Sequence, residues 1–137
     1  MLVTFEAFLD EIYPTDKIDS AAARTAEIEE RKARLAAFPY SVILELSYPQ
    51  MDFATRWCWQ QFGPAHGKCE QYSSEYPACH EKGGHSHSGK WCTHWLEKTN
   101  YDFGFNEWLF AEQADQSRFL EFIPGITFGE NYEGGVQ

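Results

Sequence analysis

Residues 40–62 read YSVILELSYPQMDFATRWCWQQF, and the change of period within them decides the fold class. Tyr40, Val42, Leu44, Leu46 and Tyr48 alternate with Ser41, Ile43, Glu45 and Ser47, which is the period of a strand with one well-buried face. Pro49 then opens a helix, where its missing N–H costs no hydrogen bond. Phe53, Trp57 and Gln61 form one row of that helix and Ala54, Cys58 and Phe62 the next, until Gly63-Pro64 ends it.

Working outward towards the C-terminus, strands are expected over about Lys68–Tyr76 and Lys90–Glu97, joined by a long loop at 77–89 that contains Gly83-Gly84-His85-Ser86-His87-Ser88-Gly89. After the turn Lys98-Thr99-Asn100, a further strand covers Tyr101–Ala111. Its aromatic residues change phase between Phe105 and Trp108, so a β-bulge near Asn106-Glu107 is expected. Asp115 is expected to cap a last helix that Pro124-Gly125 stops, with Ile126-Thr127-Phe128 as a short closing strand. Working back towards the N-terminus, Thr4 caps a short helix closed by Pro14. Asp19 or Ser20 caps a longer one reaching Phe38, whose thin apolar stripe is Ala21, Ile28, Leu35 and Phe38. Glu27 and Glu30 precede Arg31 and Arg34 by four residues, the favourable order for surface pairs.

The expected class is therefore α+β: a mostly antiparallel sheet with helices on one face, ferredoxin-like with an extra strand. A helical segment at 1–39 precedes this domain at 40–129, and a polar tail follows at 130–137. The run Phe103-Gly104-Phe105 with Trp108, followed by an acidic turn and a helix, resembles the RNA-recognition motif over residues 101–119. Tyr101 and Asp102 stand where that family carries a basic residue and a glycine, so the resemblance implies the fold and not phosphate binding.

The 137 residues carry a net charge of −10. Seven acids and the single base Arg118 fall in 99–137, against eight acids and five bases in 1–39. Such a field repels nucleic acid and suits a basic protein partner. The leading expectation is an acidic protein-binding module. Its sharper form is a nucleic-acid mimic that inhibits a nucleic-acid-handling protein, by analogy with small phage and mobile-element inhibitors. Asp102, Glu107, Glu112, Asp115 and Glu121 are the expected partner-binding carboxylates. No membrane contact is expected, and the start Met1-Leu2-Val3-Thr4-Phe5-Glu6 lacks the pattern of a signal peptide, so a cytoplasmic location (that of a host, for a phage protein) is expected.

Cys69, Cys79, His80, His85, His87, Cys92 and His94 fall within 26 residues. Zinc takes four such ligands, and Cys79, His85, His87 and Cys92 are the candidate set for a zinc-stabilised module, the alternative reading. A small Cys/His or metal-dependent enzyme is the third reading. No Gly-rich phosphate loop, nucleophile elbow or His-Glu-x-x-His is present to support it.

Overall fold

A computed structural model describes residues 2–68 and 86–127, without the side chains of residues 68, 86, 87, 126 and 127. The elements are β1 (Leu2–Val3), α1 (Phe5–Ile12), a 3-10 turn (Ile18–Ser20), α2 (Ala21–Ala37), β2 (Tyr40–Ser47), α3 (Tyr48–Phe62), β3 (Gly67–Lys68), β4 (Ser86–His87), β5 (Trp91–Lys98), β6 (Phe103–Phe110) and α4 (Gln113–Thr127). The fold is α+β, with a four-stranded antiparallel sheet in the order β1-β2-β6-β5. β3 and β4 form a separate two-stranded pair.

The β2-α3-β5-β6-α4 order, with β6 between β2 and β5, is consistent with a ferredoxin-like arrangement, and the fourth strand of the sheet is β1, outside β2, in the segment expected to be helical. Local chemistry sets the corners. Ser47 caps α3 by accepting from the Gln50 N–H, while the Gln50 side chain accepts from the Ser47 N–H. Thr4 Oγ1 accepts from the Ala7 N–H at the start of α1.

Parity assigns the two faces of the sheet. Val42, Leu44, Leu46, Trp91, Trp108 and Phe110 pack against Met51, Ala54 and Cys58 of α3 and Phe119 and Ile123 of α4. The Phe119 ring lies between Trp108 and Phe110, at 5.5 and 5.4 Å. Trp57 stacks on Phe122 at 4.1 Å. Buried indoles keep their hydrogen bonds: Trp91 Nε1 donates to the Gly63 carbonyl at 2.8 Å and Trp108 Nε1 to Thr55 Oγ1 at 3.3 Å. On the opposite face Ile43, Leu96 and Phe105 meet Phe8 and Leu9 of α1, with Phe8 edge-on to Phe105.

Three local expectations are corrected. β6 pairs with β2 without a register shift, and the bulge lies in β5 between Trp95 and Glu97. The phase change in β6 arises because a central strand is buried on both faces, so large residues occur at both parities. Pro124 lies inside α4, which runs on through Ile126 and Thr127, so no closing strand starts there. One missing N–H near a helix's last turn removes a single bond without ending it. The expected strand at 68–76 lies outside the described residues beyond Lys68, as do residues 77–85 of the loop expected at 77–89, whose Ser86–His87 instead forms β4, and the tail at 130–137.

Candidate functional site

β6 places one acid, Glu107, among apolar neighbours on the face beneath α2, and its side chain is fully buried. Its Oε2 accepts from Arg31 Nε at 2.8 Å and its Oε1 from an Arg34 guanidinium N–H at 3.2 Å. Arg34 also donates to Glu27 Oε2 at 2.9 Å, and Arg31 to Ser41 Oγ at 2.9 Å. Arg31 lies over the Phe5 ring at 4.2 Å. The expected i,i+4 pairs of α2 thus give way to contacts with the sheet. A carboxylate in this setting requires charged donors, since leaving it unpaired away from water costs several kcal/mol.

Cys92 and His94 flank Glu107 across the strand pair, opposite Leu109 and Glu107. Burial pushes the Cys92 thiol up to about 11, Glu107 adds to the shift and Arg34 opposes it. The thiol is therefore protonated at neutral pH and supplies no ready thiolate. Burial, then Arg34, holds His94 below its ordinary 6.5. Of the zinc candidates, Cys79 and His85 lie outside the described residues and His87 is described only as backbone in β4. No group of three metal-binding side chains forms among the described residues.

The carboxylates expected to face a partner divide. Asp102, Glu112 and Glu121 are exposed. Glu107 is buried as described, and Asp115, 7% exposed, sits in the first turn of α4 near Cys58. Neither is a surface charge. Glu107 lies on a strand with no solvent face, and the helix N-terminus turns Asp115 inward, where that end of the helix favours an acid.

Among the described residues, most of the exposed acids lie on the N-terminal segment. Glu6, Asp10, Glu11, Asp16, Asp19, Glu29 and Glu30 are exposed there, against Lys17 and Lys32 among the bases. Arg31 and Arg34 are turned inward to Glu107, and Arg24 is engaged by Asp10 and the Tyr13 carbonyl. The sequence contained a signal for this arrangement: two arginines three apart on one helix, and one acid in a strand otherwise free of charge.

On the α3 side, an open groove of about 540 Å³ is lined by Tyr48, Pro49, Met51, Asp52, Thr55, Thr93 and Asn106. Tyr48 stacks on Trp95 at 5.8 Å. Trp95, the cross-strand neighbour of Asn106, lies against Gly104, where a Cβ would come within 2.4 Å of the indole. Tyr48, Trp95, Tyr101 and Phe103 make this end of the sheet the main cluster of exposed large hydrophobic residues. The sequence reading did not find this groove, because it joins α3, β5 and β6 from separate parts of the chain. Among the described residues, no helix is long and apolar enough to cross a membrane. No family model, no curated protein and no solved structure matches this chain.

Proposed function

We propose that the chain is an acidic protein-binding module whose α1–α2 surface occupies a basic site on another protein. One observation carries this reading: the N-terminal segment turns Arg31 and Arg34 in towards the sheet and seven of its eight carboxylates out. A segment with a modest net charge thereby presents seven exposed acids against two exposed lysines. Such a surface draws in a basic partner and speeds its association, an effect that salt screens. The sharper form of the reading is that these carboxylates stand in for phosphates at a nucleic-acid site.

The test compares wild type with a variant carrying Glu11→Lys, Asp16→Lys, Asp19→Lys and Glu30→Lys. Both are used to capture partners from lysate at low and at high ionic strength. A basic protein held by the wild type at low salt, released at high salt and not held by the variant is the expected result. Displacement of that protein by duplex DNA is the result expected of a mimic. Equal capture by the two chains would remove the reading.

A further inference from the structure

We infer that α2 is an ion-latched arm, able to leave the sheet while α1, α3 and α4 stay packed on it. Its arginines have two sets of acidic partners. In the docked helix Arg31 and Arg34 both reach Glu107, and Arg34 also reaches Glu27, seven positions back. Within α2 itself, Glu27 and Glu30 stand four residues before Arg31 and Arg34, the favourable order for pairs along one helix. The docked helix therefore uses an acid of the sheet, and the free helix carries replacements of its own.

The two states are close in free energy because hydrocarbon holds α2 only weakly. Its one buried residue is the charged Glu27. Ile28 meets the apolar cluster beneath α1, and Leu35 is half-buried. Docking strips water from Glu27, Arg31, Arg34 and Glu107, and their attraction in the interior does little more than offset that loss. Lifting the helix returns water to all four at once, whereas a substitution strands the partners left behind. The docked state also leaves one donor unmet: among the described residues, Arg34 Nε is buried without an acceptor, and it gains water on opening. The chain on either side permits the movement. Thr15, Asp16, Lys17, Ile18 and Asp19 are exposed, and beyond them α2 is tied to α1 by Arg24, which pairs with the exposed Asp10 and with the Tyr13 carbonyl. At the other end the buried Phe38, its ring 5.3 Å from that of His66, is the pivot. Glu29 and Glu30 are carried on the arm, so the latch sets whether they stand beside the acids of α1.

The latch holds whatever binds the acidic surface, and its test needs no partner. The experiment is native-state hydrogen exchange on the full chain, comparing the amides of residues 29–36 with those of α3 and α4. A helix of this length frays quickly once off the sheet, so the α2 amides should exchange about tenfold faster or more. Low urea should speed the exchange of α3 and α4 and leave that of α2 unchanged, because opening the arm exposes little apolar surface. Glu107→Gln, which weakens both arms of the grip, should speed α2 by about a further tenfold. Where that variant does not fold, Ser41→Ala, which removes only the bond from Arg31 Nη2, should speed α2 about fivefold. Replacing the latch by hydrocarbon, with Glu107→Leu, Arg31→Met and Arg34→Leu together, should slow α2 until it exchanges with α3 and α4. Equal exchange of the three helices in the wild type would overturn the inference. So would an α2 rate unmoved by the polar variants, or a gap that survives in the hydrocarbon variant.

Discussion

The two faces of one sheet are closed by different means. Beneath α3 and α4 the seal is hydrocarbon and aromatic: Trp108, Phe110, Phe119 and their neighbours exclude water over a broad area. On the other face α1 closes only a smaller apolar cluster, Phe8 and Leu9 with Ile43, Leu96 and Phe105, and beneath α2 the seal is mainly ionic. That helix has Glu27 as its one buried residue and is fastened by Arg31 and Arg34 to Glu107. Apolar contact is non-directional and tolerates some sliding, whereas a two-armed grip on one carboxylate fixes position and angle. The first face therefore carries most of the stability, and the second fixes where the acidic helix lies.

The largest effect should come from the aromatic face. Phe119→Ala removes a fully buried ring with four aromatic neighbours and should cost about 3–5 kcal/mol in urea denaturation. A cost under about 1 kcal/mol would break the comparison. Glu107→Ala comes next, at about 3 kcal/mol, because it strands two guanidinium groups that are 14–18% exposed. Replacing the whole network, with Glu107→Leu, Arg31→Met and Arg34→Leu together, should restore most of that loss. A triple variant no more stable than Glu107→Ala would show that the charges themselves hold the helix. The smallest effect is a pH dependence. His94 is held below its ordinary 6.5 in the folded chain, so the unfolded chain takes up its proton first. Its contribution is complete above pH 6.5, falls as the pH drops below that value, and levels off once the folded histidine is also protonated. Urea midpoints measured from pH 7.5 to 5 should decline more steeply in wild type than in His94→Gln. Parallel profiles would place the pH dependence elsewhere.

Much of the fold was legible because periodicity reports burial. The alternation at Tyr40–Tyr48 located the strand and Pro49 the helix start, while the Ser47 cap and the choice of the Ala54–Cys58 row as the inner face came from the structure. What escaped was long-range. The phase change in β6 has two readings in sequence, a bulge or burial on both faces, and only the position of the strand in the sheet separates them. Glu107 read as a surface carboxylate because nothing local names Arg31, 76 residues away, as its partner. Asp102 and Glu112 were read as exposed, and they are, since each flanks a strand end where solvent is close. Asn106 gave no signal at all, because an asparagine in a strand is conspicuous only once its neighbours are known.

Gly104 has a consequence for how this sequence can vary. Any side chain there would meet Trp95 Cη2 at 2.4 Å and Cζ3 at 2.8 Å, with the Glu97 carbonyl oxygen at 3.1 Å. The first two contacts belong to the far end of a movable indole, so positions 95 and 104 share one volume and are expected to covary. Homologous chains that carry alanine at 104 should carry a smaller residue at 95. In a double-mutant cycle, Gly104→Ala should disturb the protein less when Trp95→Leu is already present than when the indole remains. Only the contact with the Glu97 backbone would survive in the pair, and it sets the limit on how large a residue 104 can become.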